Sequence, residues 1–121
     1  MADPVFDTDI VIDWLRGRKQ AAEELTRYSR HRLSRISWTQ ILAREPLEQR
    51  DHVQDLISSF EIVELDARIA AAAADIRHRR RLKLTDALIL ATAQVNGAIL
   101  VTRNIKDFPA AMPGIRIPYT L

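Results

Sequence analysis

The sequence predicts an α/β fold: a mostly parallel sheet of about four to five short strands with helices on both faces. Short apolar runs alternate with longer segments of helical periodicity, the pattern of strands joined by crossover helices. The composition, 47% hydrophobic with three Gly and five Pro in 121 residues, excludes collagen-like and low-complexity classes. It suits a single domain over 1–121 with a core of its own.

Residues 4–6 read as a strand that stops at Asp7-Thr8-Asp9. Ile10, Val11, Trp14 and Leu15 then recur at helical spacing, with Thr8 or Asp9 as N-cap and Gly17 as the stop. A helix is expected over 20–30 and a strand over 33–36. The next helix starts near Trp38, is interrupted at Pro46, and gives way to another that runs to about Ser59. Residues 60–65 alternate as a strand, and Asp66 caps an Ala-rich helix that reaches a run of arginines. Thr85 is the expected cap of a helix over 86–96, closed by Gly97. Residues 98–102 form an apolar strand and 115–118 a short last one.

The absence of cysteine excludes disulfide scaffolds, thiolate zinc sites and cysteine nucleophiles, and suits a reducing cytoplasm. No apolar run reaches the roughly 20 residues that span a bilayer. Met1-Ala2-Asp3-Pro4 lacks the basic segment of a secretory signal, so a cytoplasmic protein without membrane association is expected. His31, His52 and His78 lack metal-ligand spacing, and glycines at 17, 97 and 114 cannot build a phosphate loop. An aspartyl nucleophile in Asp7-x-Asp9 would need a downstream Lys beside paired acids, which the chain does not offer.

Eighteen Lys and Arg against sixteen Asp and Glu leave a net charge of +2, yet the signs are segregated. Arg27, Arg30, Arg32 and Arg35 have no acid between them, nor do Arg77, Arg79, Arg80, Arg81 and Lys83. Each stretch is either a solvated helix face or a surface for polyanions or an acidic partner segment.

In α/β sheets, chemistry sits beyond the carboxyl ends of strands. Asp7 and Asp9 follow the first strand, and Asp107 lies in the loop after the strand at 98–102. Asp86 opens a helix, where the dipole favours its charge. Each acid alone could be a cap or a surface charge. Together, carboxylates without His or Cys form the ligand set of Mg²⁺ or Mn²⁺, which relieves their mutual repulsion and serves phosphoryl displacement.

Three segments resemble one family. Val5-Phe6-Asp7-Thr8-Asp9-Ile10-Val11-Ile12-Asp13-Trp14-Leu15-Arg16-Gly17 is similar to the opening of PIN-domain ribonucleases, the VapC-type toxins of bacterial toxin–antitoxin pairs. Leu84-Thr85-Asp86-Ala87-Leu88-Ile89 resembles their Asp-Ala helix, and Thr102-Arg103-Asn104-Ile105-Lys106-Asp107-Phe108 their Thr-Arg-Asn block. The resemblance implies a three-layer PIN-like sandwich and Mg²⁺- or Mn²⁺-dependent RNA cleavage, with Asp7, Asp86 and Asp107 as metal-site carboxylates. Thr102, Asn104 and, secondarily, Asp9 would shape the site. It also implies a homodimer silenced by a cognate antitoxin with an acidic-hydrophobic C-terminal segment. Arg77, Arg79, Arg80, Arg81 and Lys83 would suit RNA or that segment.

One departure matters. Where the family has a second acid after Ser-Arg-Ile-Ser-Trp-x, this chain has Gln40. The amide is nearly isosteric with Glu but neutral. Glu45 cannot replace it, since five residues along a helix is a rotation of about 140°. Gln40 is either a tolerated variant in a weak metal site or a natural or introduced change that cripples catalysis. The near-isosteric exchange inside a matching segment favours the second, and a non-catalytic binding module is the alternative function. Thr85 stands where Pro is frequent in the family and is a competent cap.

Overall fold

The computed structural model describes residues 3–121; Met1 and Ala2, part of the N-terminal reading above, lie outside them. Five strands, β1 (Val5–Phe6), β2 (Arg32–Ser34), β3 (Glu61–Val63), β4 (Leu100–Val101) and β5 (Ile115–Arg116), make one sheet in the order β3-β2-β1-β4-β5. Every pair is parallel. The chain leaves β1 toward β2 on one side, while β4 joins β1 on the other. This is a switch point, where the connections diverge and open a crevice beyond the strand ends.

Helices α1 (Thr8–Leu15) and α2 (Lys19–Thr26) link β1 to β2, and α3 (Arg35–Ala43), a 3₁₀ turn at Leu47–Gln49 and α4 (Arg50–Ile57) link β2 to β3. Helices α5 (Ala67–Arg79) and α6 (Leu84–Val95) link β3 to β4. Alternation along each strand divides the interior into two cores. Val5 and Leu100 face a core with Ile69, Ala73 and Ile76 of α5 and Ala87, Leu90 and Ala91 of α6. Phe6, Leu33 and Val101 face the other, with Ile10, Val11, Leu25, Ile41, Val53 and Ile57 of α1–α4. Helices, sheet and helices thus form three layers. Phe6 is fully buried against the rings of Tyr28, His31 and Phe60, a burial worth roughly 2–3 kcal/mol.

Two expected boundaries move for identifiable reasons. α3 begins at Arg35, not near Trp38, because the Ser34 hydroxyl accepts the Ile36 N–H at 3.1 Å and ends the strand there. α6 begins at Leu84 after Lys83, which makes no side-chain cap. Thr85 therefore lies inside the helix and does not cap it, and Asp86 falls in its first turn. Asp66 caps α5 by accepting the Ile69 N–H at 2.9 Å, and Gly97 (φ +61°) turns the chain out of α6. No helix among the described residues is long and apolar enough to cross a membrane.

Candidate active site

The strand ends at the switch point deliver the first acids. Asp7 leaves β1, its N–H donating to Val101 O at 2.8 Å. It is the residue that caps α1, a role expected of Thr8 or Asp9: Oδ1 accepts the Thr8 N–H at 2.8 Å. Its Oδ2 accepts the hydroxyl of Thr102 at 2.7 Å, from the residue just past β4. Thr102 is itself fixed by the Asn104 N–H at 3.0 Å. Asp9 Oδ2 accepts the Arg103 N–H at 3.3 Å, while buried Asp9 Oδ1 has no hydrogen-bond partner.

The other pair joins the first turn of α6 to the loop after β4. Asp86 faces Asp107, whose Oδ2 accepts from Asn104 Nδ2 at 3.0 Å. The Asp107 N–H donates to Asn104 Oδ1 at 3.3 Å, so Asn104 holds that acid from both ends. Asp7, Asp9, Asp86, Gln40 and Asn104 line one cleft of about 690 Å³ with Thr8, Arg44, Arg103 and Lys106.

Electrostatics mark these acids. Burial, then the neighbouring charges of Asp9 and Asp86, push Asp7 up to about 7 against the hydrogen bonds from Thr102 and Thr8. Burial raises Asp9 despite the opposing charge of Arg103, and burial followed by Asp107 raises Asp86. Carboxylates made costly by each other, with one buried oxygen unpartnered, fit a hard divalent cation in donor chemistry. Asp7 and Asp86 line the cleft, whereas Asp107, which faces Asp86, is not among its lining residues. Among the described residues no three acids or histidines are grouped closely enough to enclose an ion as they stand.

Gln40 lies on this cleft, while Glu45 falls beyond the end of α3 and lines a separate groove with Ile12, Arg16 and His52. Thr8 Oγ1 stands 2.6 Å from Gln40 Oε1 and 2.9 Å from Ser37 Oγ. Its single proton goes to the amide oxygen and Ser37 donates in turn, so two hydroxyls orient an acceptor at this position.

The two basic stretches meet different fates. Arg30 pairs with Glu61 at 2.6 Å and Asp3 at 3.0 Å, and Arg35 with Glu64 at 2.5 Å while stacking on Trp38. Arg27 approaches Glu24 at 3.6 Å and Arg32 donates to Asp3 O at 2.6 Å, so this stretch is structural. In the second, Arg77 donates to the Leu82 carbonyl, and Arg79 turns back to Asp75 O at 3.4 Å. Arg79 thus lies apart from the groove that Arg77, Arg80, Arg81 and Lys83 line.

Sequence reasoning missed two buried ion pairs, the first of which holds Arg103 at the cleft. Arg103 binds Asp13 through both Nε (2.6 Å) and Nη2 (3.0 Å), and Tyr119 donates to Asp13 Oδ2 at 2.7 Å. Arg116 and Tyr28 hold Glu24 in the same way, at 2.7 and 2.9 Å. The available signal was an acid on an apolar helix face, Asp13 beside Ile10 and Trp14 and Glu24 beside Ala21 and Leu25.

A PIN domain family model matches residues 5–111. The ribonuclease VapC10 of Mycobacterium tuberculosis is 32% identical over 113 residues, covering 87% of this chain and 85% of the relative. A toxin–antitoxin complex from Klebsiella pneumoniae contains a chain of 36% identity and TM-score 0.90, covering 98% of this chain and all of that one. A DNA-bound VapBC from Salmonella typhimurium is similar at 25% identity and TM-score 0.78, covering 97% of each chain.

Proposed function

The chain belongs to the PIN-domain family, among its VapC-like toxin–antitoxin members, and on that premise we propose that it is a metal-dependent endoribonuclease weakened by Gln40. The observation that carries the reading is the acid cleft at the β1–β4 switch point, where Asp7 is raised to about 7 and buried Asp9 Oδ1 is unpartnered. Bound Mg²⁺ or Mn²⁺ supplies a Lewis acid for the phosphate oxygens and an acidified water for phosphodiester hydrolysis.

The chain's own residues do the rest. Asp7, Asp86 and Asp107 hold the cation; Thr102 orients Asp7 and Asn104 orients Asp107. Arg103 keeps Asp9 in place through its N–H. Arg44 and Lys106 on the cleft wall offset phosphate charge. The Thr8–Ser37 hydroxyl pair is built to direct one oxygen of a carboxylate at position 40. An amide accepts the same hydrogen bond, but contributes no charge and takes up no proton. Gln40 therefore weakens cation binding and catalysis without disturbing the fold.

A cognate antitoxin with an acidic-hydrophobic C-terminal segment and a homodimeric toxin complete the proposal; the toxin–antitoxin assemblies of the similar structures support the first. The second reading, a non-catalytic module that binds RNA or antitoxin, rests on Gln40 alone. RNA cleavage by this chain and by Gln40→Glu, each with Mn²⁺ and with chelator, separates them. Cleavage by the Glu form, at least tenfold faster and lost with chelator, is expected. Failure of both forms on every RNA offered leaves the non-catalytic module. In calorimetry, Asp7→Ala and Asp86→Ala should each abolish Mn²⁺ binding, and unchanged affinity in both would discard the site.

A further inference from the structure

We propose that the groove at the α5–α6 connection is an RNA track that grips the phosphodiester backbone beside the acid cleft, through Arg80, Arg81 and Lys83. This rests on the ribonuclease reading and assigns that site a flanking substrate contact. The three cations are exposed and line a groove of about 930 Å³ whose lining includes no acid. Unlike the first basic stretch, none of them is in an ion pair among the described residues.

The groove is built, not frayed. Leu82 is only 4% exposed and anchors the connection in the core, and Arg77 ties its carbonyl to α5. The intervening residues are thereby held with their cations outward. Lys83 immediately precedes α6, whose first turn carries Asp86. Lys83 on the basic groove and Asp86 on the acid cleft are thus three residues apart at the start of one helix. On the proposed track, a strand gripped in the groove runs on past Lys83 toward the cleft.

The chemistry favours RNA over an acidic-apolar peptide. His78 is the one aromatic side chain among the groove's lining residues, with no Phe, Tyr or Trp for base stacking or peptide anchoring, so recognition is chiefly by phosphate charge. An apolar segment is better served by the groove of Ile12, Leu15, Ile41, Val53 and Leu56 between α1, α3 and α4.

The test measures binding of a fluorescent 12-nucleotide oligouridylate by anisotropy, over a salt series, to the full chain and to Arg80→Ala/Arg81→Ala. Circular dichroism melting verifies that both fold alike, and Arg30→Ala, from the paired stretch, is the control. The double variant should bind about tenfold more weakly at low salt. Its salt slope should fall by about 1.4, since each single-strand phosphate contact contributes roughly 0.7. Unaltered affinity and slope would overturn the track while leaving the nuclease reading intact. Loss of binding in the double variant, with no cleavage by Gln40→Glu, would retain the track and reject the nuclease. Tighter binding of polyglutamate than of RNA, equally lost in the double variant, would overturn the RNA assignment in favour of an acidic protein segment.

Discussion

Two sets of buried acids share this small domain and are treated in opposite ways. Asp13 and Glu24, 1% and 4% exposed, each receive a two-pronged arginine and a tyrosine hydroxyl. Burial alone would raise both, but the hydrogen bonds from Arg103 and Tyr119, and from Arg116 and Tyr28, outweigh it and hold them below their usual values. Asp7, equally buried at 5%, receives only a hydroxyl and an N–H and faces more carboxylates, so its value rises. The first set is complete within the chain. The second has no guanidinium partner among the described residues, and it is there that the proposed cation would supply the positive charge.

The strongest way to break the comparison is Asp13→Ala, which leaves Arg103 and Tyr119 facing an empty, desolvated position. A loss of roughly 3–5 kcal/mol is expected in urea unfolding. A loss below about 1 kcal/mol would mean that the ion pair is not structural. The pH dependence sharpens the contrast further. In chelator, folded Asp7 holds its proton up to about 7 whereas the unfolded chain releases it near 3.8. Between those values the folded state binds more protons, so stability falls as pH rises, by at most roughly 4 kcal/mol. Asp7→Asn should flatten that limb in thermal melts; an unchanged slope would show that Asp7 is not the group responsible. Asp13 and Glu24 act with the reverse sign. Their lowered values stabilise the fold above about 4, and that contribution is lost as pH falls below it.

The smallest effect tests the bond between strands. Thr102→Val removes the hydroxyl that donates to Asp7 Oδ2 and accepts from the Asn104 N–H. A cost of about 1–2 kcal/mol is expected, with the Asp7 midpoint moving up as its charged form loses a donor. A midpoint that stays in place, followed by NMR of the carboxyl carbon, would detach Thr102 from the site.

Much of this was legible because its physics is local. Apolar periodicity located all five strands and the helices between them, and Asp66 and Gly97 mark their helix ends by cap chemistry that acts within a few residues. The strand-end rule brought Asp7, Asp9 and Asp107 into consideration before any distance was known, and Asp86 joined them as an acid opening a helix. Where α3 begins was not legible, because Ile36 is as compatible with a strand as with a helix until Ser34 caps it. Nor was the division of the arginines. Arg30 and Arg80 are alike in sequence, and only the return of β3 sets Glu61 beside Arg30.

The sequence by itself determined the type and order of the elements, the oxygen-only character of the acid set and the neutral amide at position 40. All three depend on residue identity and short spacing. Tertiary structure alone decided which acids are paired with a guanidinium within the chain and which are left without one. That choice depends on whether a guanidinium from ninety or more residues away, as Arg103 for Asp13 and Arg116 for Glu24, arrives within about 3 Å. At that range and burial, charge pairing dominates a carboxylate's behaviour. Its magnitude is set by distance in space, which no spacing along the chain encodes.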